Sequence, residues 1–163
     1  MIGTLFDGLL PERTVVVEAE PHMWECGLWD EELGYVLNSV AKRRREFTAG
    51  RNCVRGALEL LGEKPSAILI GGGREPIFPK GIVGSITHTK SYCAAAILST
   101  SANLSIGIDA EEDDPLPMDV CALVLRDSER NGAPSVCGHY MPGAWDKLVF
   151  SVKEAFYKAI YPC

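Results

Sequence analysis

Two acidic residues of this sequence stand where a metal site could form. Asp109 and Glu111 lie two residues apart at the end of a predicted strand, so their side chains leave the same face of that strand. Carboxylate oxygens are the ligands that Mg²⁺ prefers, and this ion takes one or two of them together with water and substrate phosphates. Because Glu112, Asp113 and Asp114 follow at once, a solvated acidic turn is the alternative. These residues alone leave both interpretations open.

A carboxylate and an amine also share one face of the last predicted helix. Glu154 and Lys158 lie four residues apart, which places them one above the other on a helix surface. On the pattern alone, the simpler interpretation is a surface ion pair that stabilises the helix slightly. A role in catalysis therefore needs support from elsewhere in the chain.

Positive charge is concentrated in one block, which runs from Lys42 to Arg45 within a predicted helix. Arg43 and Arg51 are separated by about two helical turns, so both can project to one side and hold phosphate groups. The alternative is a solvated helix face. His88, at the end of the segment GSITH, has a similar ambiguity, since it could equally be a turn histidine whose hydrogen bonds are satisfied.

Composition excludes several classes of protein. The 163 residues are 47% hydrophobic and 23% charged, which is typical of a globular protein rather than a disordered one. The net charge of −6 argues against binding to nucleic acid or to an anionic membrane, so any basic site must be local. Six cysteines without a CxxC pair, and no signal peptide, predict reduced thiols in the cytoplasm. No apolar run approaches the ~20 residues of a transmembrane helix.

The elements that must position these residues can be read from periodicity. Residues 71–81 form a Gly- and Pro-rich loop that lacks both the P-loop and the GxGxxG pattern. Apolar residues at helical spacing predict a long helical stretch with a break in it, a short helix over 120–130 and a clear final helix. The predicted strands span 13–20, 82–87, 92–98 and 104–109, and the two longer helical stretches span 30–62 and 144–161.

The order of the motifs is more specific than any one of them. The best two are IGIDAE at 106–111 and FSVKEAFYKA at 150–159, and they are supported by KRRREF at 42–47 with Arg51, REPIFP at 74–79 and VGSITH at 83–88. From about residue 30 to 161, this set resembles the 4′-phosphopantetheinyl transferases of the surfactin-synthetase and enterobactin-synthetase type, particularly the actinobacterial members. A family-like pair of signature motifs at this separation is hard to obtain by chance.

The resemblance implies an α+β fold of two similar lobes, each with a small antiparallel sheet packed on a long helix. Residues 1–100 would form the N-terminal lobe with a coenzyme A phosphate clamp, and 101–163 an incomplete C-terminal lobe with the metal-binding strand and the Lys-Glu helix. The C-terminal lobe is expected to be incomplete because family members continue beyond this helix, whereas the sequence stops at Cys163.

The implied activity is Mg²⁺-dependent transfer of the 4′-phosphopantetheine arm from coenzyme A to a serine of an apo acyl or peptidyl carrier protein, with release of 3′,5′-ADP. The alternatives are a coenzyme A-binding remnant with little or no turnover, and a purely structural or interaction domain. The physiological carrier protein cannot be named from these residues.

Site residues follow from the resemblance position by position. Asp109, Glu111 and Glu154 would hold the metal, with Asp109 and Glu154 beside the bound coenzyme A. Lys158 would meet the pyrophosphate, and Glu154 would accept the serine proton directly or through water. The nucleotide side of coenzyme A would contact Arg43, Arg51, Gly73, Arg74, Glu75, Pro76, Thr87 and His88.

Overall fold

The computed structural model describes residues 4–100, 104–130 and 142–161. The strands are β1 (Val15–Glu18), β2 (Leu69–Ile70), β3 (Pro76–Ile77), β4 (Ile82–His88) and β5 (Cys93–Ser99). The helices are α1 (Asp30–Leu33), α2 (Ala41–Leu61), α3 (Met118–Val124), α4 (Asp127–Arg130) and α5 (Pro142–Ile160), with a 3₁₀ turn at Pro21–Trp24.

The α+β prediction is confirmed at the level of these small antiparallel sheets and their helices. One sheet has the strand order β1-β5-β4, and a separate two-stranded sheet joins β2 to β3. β5 lies in the centre and is buried on both faces: Cys93, Ala95 and Ile97 belong to the core shared with α2, while Ala94 and Ala96 belong to a second apolar cluster. The division into two similar lobes stays a prediction.

Helix α2 supplies the main core and determines where the basic block lies. The predicted stretch over 30–62 is interrupted between α1 and α2, where Gly34, Asn38 and Ser39 have low helix propensity. The helix ends at Gly62, whose φ of +82° suits a left-handed cap. Its fully buried side chains recur at helical spacing and pack on the sheet: Ala49, Cys53, Val54, Ala57 and Leu58.

The strand predicted over 104–109 is wrong, because no ladder forms there. Ile108 N donates to Ser85 Oγ at 3.1 Å and Ala110 N donates to Thr87 Oγ1 at 2.9 Å, so two hydroxyls of β4 replace backbone acceptors. Ile108 is nevertheless buried in the second cluster. The alternation of apolar residues therefore indicated burial correctly but not strand pairing.

The final helix is confirmed, with α5 spanning Pro142–Ile160 against a prediction of 144–161. Its predicted apolar stripe is largely exposed: the exposed fractions are 39% for Leu148, 60% for Val152 and 64% for Phe156. The predicted helix over 120–130 is divided into α3 and α4, since the backbone at Leu125 is extended.

Four of the cysteines, Cys26, Cys53, Cys93 and Cys121, are free thiols, and the other two lie outside the described residues. In the part of the chain that the structure describes, no helix combines the length and the apolar character needed to cross a bilayer.

Candidate functional site

A cavity of about 590 Å³ lies between α2, the β2–β3 hairpin, strand β4 and the C-terminal end of α5. The structure brings nine of the eleven predicted coenzyme A-binding residues to its wall, whereas Asp109 and Glu154 are not part of the lining. The nine are Arg43, Arg51, Gly73, Arg74, Glu75, Pro76, Thr87, His88 and Lys158.

Arg51 is the most constrained of the cations in this wall. Its side chain is buried, its Nε donates to the carbonyl oxygen of Ile68 at 2.8 Å, and its guanidinium lies 4.0 Å from the centroid of the Phe47 ring. Burial lowers the pKa of Arg51 to about 10, with Glu32 opposing the shift, so the side chain remains a cation at neutral pH. The sequence prediction that Arg51 shares one side of α2 with Arg43 is confirmed.

His88 closes β4 next to the basic end of α2. Arg43 Nη1 donates to His88 Nε2 at 3.2 Å, and the ring's Nδ1 lies 3.8 Å from Glu46 Oε2. Because Arg43 can only donate, Nε2 is the acceptor and the ring proton sits on Nδ1, facing the carboxylate. Burial lowers the pKa of His88. The nearby carboxylate of Glu46 opposes this shift, and the cation Arg43 adds to it. The imidazole is therefore neutral at pH 7, with the cation Arg43 beside Nε2 and the carboxylate of Glu46 beside Nδ1.

Asp109 lies at the point where the 104–110 segment meets α5. Its Oδ1 accepts from Lys158 Nζ at 2.6 Å and from Thr87 Oγ1 at 3.5 Å. Lys158 Nζ also donates to the carbonyl oxygen of Ile108 at 3.3 Å. The other carboxylate oxygen, Oδ2, is buried and has no hydrogen-bond partner among the described residues. A buried, unpartnered carboxylate oxygen is an expensive arrangement unless a cation occupies the position beside it.

The contact between Asp109 and Lys158 depends on a glycine. A Cβ built on Gly107 would overlap the carbonyl oxygen of Ala155 and lie 2.8 Å from Ala159 N. Only glycine lets the 104–110 backbone pass this close to the helix. Because Ala155 and Ala159 are also small, the segment can lie directly on α5, within reach of Lys158.

The structure does not assemble Asp109, Glu111 and Glu154 into one metal-binding group among the described residues. Glu111 contacts Lys147 Nζ at 3.4 Å, and the same amine donates to Asp114 Oδ1 at 2.8 Å. Burial disfavours the charged form of Lys147, but these carboxylates outweigh it and raise its pKa. Glu154 is half-buried and makes no ion pair within 4–100, 104–130 and 142–161. Across those ranges no group of three or more His, Cys, Asp or Glu side chains is arranged to hold a metal.

Sequence reasoning missed Ser85, Tyr157 and Tyr161 at this site, and it assigned Thr87 to a phosphate group rather than to the Asp109 segment. Ser85 and Thr87 hold the Asp109 segment by their hydroxyls, and their spacing of two on a strand was the signal that could have found them. Tyr157 and Tyr161 stack with ring centroids 5.2 Å apart on the cavity wall, and their spacing of four at the end of the predicted helix was the signal that could have found them. Glu75, which the sequence did predict, has its Oε2 buried without a partner in the described part of the chain.

Known proteins with a similar sequence decide the family. The 4′-phosphopantetheinyl transferase N-terminal domain matches residues 31–98. The 4′-phosphopantetheinyl transferase PptT of Mycobacterium tuberculosis is 41% identical over 167 aligned residues, which cover 99% of this chain and 72% of the relative. The chain belongs to the 4′-phosphopantetheinyl transferase family.

Two further relatives extend the comparison. The 4′-phosphopantetheinyl transferase Svp of Streptomyces mobaraensis is 41% identical over 83% of this chain, and enterobactin synthase component D of Escherichia coli O157:H7 is 34% identical over 81%. The chain spans 55% of the first of these two relatives and 62% of the second. The matched N-terminal domain includes the part of the cavity formed by α2, the hairpin and β4, whereas Asp109 and α5 follow it.

Proposed function

We propose that this chain transfers the 4′-phosphopantetheine group of coenzyme A to a serine of an apo acyl or peptidyl carrier protein and releases 3′,5′-ADP. The observation that carries the proposal is the position of Lys158. This lysine lines the cationic cavity, and its amine pairs with the carboxylate of Asp109. An acidic protein that assembles this much local positive charge is suited to a polyanionic ligand. The names of the similar proteins support the same reaction.

Each cation in the cavity wall would contact a different part of coenzyme A. His88 and Thr87 would hold the 3′-phosphate, because the neutral imidazole beside Arg43 can take up a proton when a dianion binds. Arg43 and Arg51 would hold the remaining nucleotide phosphates. Gly73 to Pro76 would line the adenine and phosphate side, and Lys158 would neutralise the pyrophosphate.

In the transfer step, the serine hydroxyl oxygen attacks the β-phosphorus of coenzyme A. A new serine Oγ–phosphorus bond forms, and the bond from that phosphorus to the bridging oxygen breaks, so that 3′,5′-ADP leaves with the electron pair. The serine proton would go to the Glu154 carboxylate, directly or through a water; this carboxylate makes no ion pair in the described ranges and is therefore available as an acceptor. Phosphoryl transfer of this kind depends mainly on positioning and on charge neutralisation, which Lys158 would provide.

Magnesium is the metal that the family resemblance implies, and Asp109 fits it. The buried, unpartnered Oδ2 is the oxygen that a cation would satisfy. The resemblance would make Glu111 and Glu154 the other protein ligands, but the described residues form no group of three such side chains, and Lys147 holds Glu111. When bound, Mg²⁺ supplies charge neutralisation at the pyrophosphate.

The proposal is tested by incubating the chain with coenzyme A, Mg²⁺ and an apo carrier protein, followed by intact mass measurement of the carrier. A mass gain of one phosphopantetheine group is expected, and it should be absent when the carrier serine is replaced by alanine or when a chelator removes the metal. A folded chain that binds coenzyme A but leaves the carrier at its apo mass would instead support the binding-remnant alternative.

A further inference from the structure

The β2–β3 hairpin carries four of the proposed ligand-binding residues but is not part of the main sheet. Its two-residue strands pair only with each other. A short two-stranded hairpin is marginally stable on its own, so something else must hold it in place beside the cavity. The turn contains Arg74 with a φ of +72°, a conformation that a side chain other than glycine adopts only under constraint.

Ile68, the residue before β2, is held through its backbone from both sides. Its N–H donates to Glu32 Oε1 at 2.9 Å, and its carbonyl oxygen accepts from Arg51 Nε at 2.8 Å. The side chain of Ile68 is itself fully buried in the core. We call this arrangement, formed by Glu32, Arg51 and the backbone of Ile68, the Ile68 clamp.

Glu32 is fully buried and is oriented by partners from three parts of the chain: Arg55, Trp29 and Ile68. Arg55 Nη1 of α2 donates to both of its carboxylate oxygens, at 2.8 and 2.9 Å, and Trp29 N donates to Oε2 at 3.1 Å. Arg55 is fixed in turn, since its Nη2 donates to Asn52 Oδ1 at 2.7 Å and its guanidinium lies 5.2 Å from the Trp29 ring centroid. A buried ion pair whose carboxylate and guanidinium are both held by further hydrogen bonds is restricted to one geometry.

The clamp also determines how Arg51 meets a ligand. Because Nε donates to the carbonyl oxygen of Ile68, the two terminal nitrogens of this cavity-lining guanidinium can donate to a bound anion. The same side chain thus holds the hairpin and faces the cavity.

We propose that Glu32 is a positioning residue for the coenzyme A site: through the Ile68 clamp it fixes both the ligand-binding hairpin and the orientation of Arg51. Glu32 does not line the cavity, and none of the motifs that carry the family resemblance includes it. The proposal deepens the function proposed above and rests on it for the identity of the ligand, but the state of the hairpin can be measured without any ligand.

The test compares Glu32→Gln, Arg55→Lys and Tyr92→Phe in the full chain. Glu32→Gln keeps the side-chain shape but replaces one acceptor oxygen by a donor, so it cannot serve all of its partners. Arg55→Lys keeps the charge opposite Glu32 and should act more mildly. Tyr92→Phe is the control, because it removes a 2.7 Å hydrogen bond to Glu18 next to the second apolar cluster, away from the hairpin.

Hydrogen exchange of the ligand-free proteins gives the first measurement. We expect the amides of Ile68 and Gly71 to lose about tenfold or more protection in Glu32→Gln relative to the amides of β5, to lose less in Arg55→Lys, and to keep wild-type protection in Tyr92→Phe. If Glu32→Gln does not fold, the proposal is tested by comparing the loss of protection in Arg55→Lys between the hairpin amides and those of β5. Equal loss of protection in hairpin and β5 would overturn the proposal, because it would show a residue that only stabilises the fold.

Ligand affinity gives the second measurement, with 3′,5′-ADP and coenzyme A as probes well below the unfolding temperature. The Kd for 3′,5′-ADP and the KM for coenzyme A should rise together by about tenfold in Glu32→Gln, while kcat at saturating coenzyme A stays within about twofold. Unchanged Kd and KM in a folded Glu32→Gln protein would overturn the proposal. If the wild type binds neither probe, the proposed function fails, whereas the exchange pattern still decides whether the clamp holds the hairpin.

Discussion

Lys158 Nζ donates to Asp109 Oδ1 at 2.6 Å instead of pairing with Glu154, which lies one turn earlier on the same helix. This contact joins α5 to the segment that follows β5, and it places an amine and a partly unsatisfied carboxylate at the end of a cationic cavity. The unsatisfied oxygen is Asp109 Oδ2, where a cation could bind.

Asp109→Asn should remove the dependence of coenzyme A binding on Mg²⁺. The substitution keeps the shape of the side chain but can replace the buried Oδ2 by an NH₂ group, which cannot bind a cation. Calorimetric titration with coenzyme A, with and without Mg²⁺, should give two different Kd values for the wild type and one value for the variant. Asp113→Asn, at an exposed neighbour, serves as the control. An Asp109→Asn protein that still responds to Mg²⁺ like the wild type would remove Asp109 from the metal site.

His88→Gln should weaken coenzyme A by about 10- to 100-fold while leaving dephospho-coenzyme A, which lacks the 3′-phosphate, nearly unaffected. Burial keeps the pKa of His88 below its usual value in the free protein, and a bound dianion raises it. Binding therefore takes up a proton, so the preference of the wild type for coenzyme A should grow as the pH falls from about 8 to about 6.5. The variant should lose this pH dependence. Equal losses for both ligands would place His88 away from the 3′-phosphate.

Arg43→Gln should reduce coenzyme A affinity and flatten its dependence on salt between about 50 and about 300 mM, because a cation that contacts phosphate is screened by ions. Arg45→Gln is a matched control from the same basic block, since Arg45 is exposed and pairs with Glu25 at 2.9 Å. Salt titrations of the three proteins check the prediction. The same decrease in affinity in both variants would show that the block acts only through its overall charge.

Periodicity predicted the helices and most strands of this chain, since α2 and α5 carry apolar residues at helical spacing and β5 is a run of small apolar residues. It failed over 104–109 because a pattern of alternating burial does not reveal which groups accept the backbone hydrogen bonds. In this chain the acceptors are the hydroxyls of Ser85 and Thr87, which lie about twenty residues earlier.

The residues of the site could likewise be predicted from the sequence only where their contacts are local. The sequence indicated that Arg43 and Arg51 share a face, because helix geometry is local. It favoured an ion pair between Glu154 and Lys158 for the same reason, whereas the structure pairs Lys158 with Asp109, a contact across 49 positions that depends on Gly107 and two alanines. Tertiary contacts of this kind leave no periodic signal.

Gly107→Ala should separate the Asp109 segment from α5. The added Cβ would overlap the Ala155 carbonyl, so the backbone must move, at a cost of about 1–3 kcal/mol in the free energy of unfolding. Gly34→Ala is the control, because no atom lies within 4 Å of a Cβ at that position. Urea denaturation measures the stability, and coenzyme A titration measures the site. If Gly107→Ala is as stable and binds as tightly as Gly34→Ala, the close approach is not required.

The measurement that tests the central claim most directly is the rate of carrier modification by Lys158→Met, followed by intact mass with coenzyme A and Mg²⁺. Lys64→Met, at an exposed lysine beyond the end of α2, is the control. The account predicts that the wild type and Lys64→Met modify the carrier at similar rates, and that Lys158→Met is slower by about 10²-fold or more because the developing phosphate charge loses its cation. Transfer by folded Lys158→Met at the wild-type rate would contradict the assignment of this cavity as the transfer site.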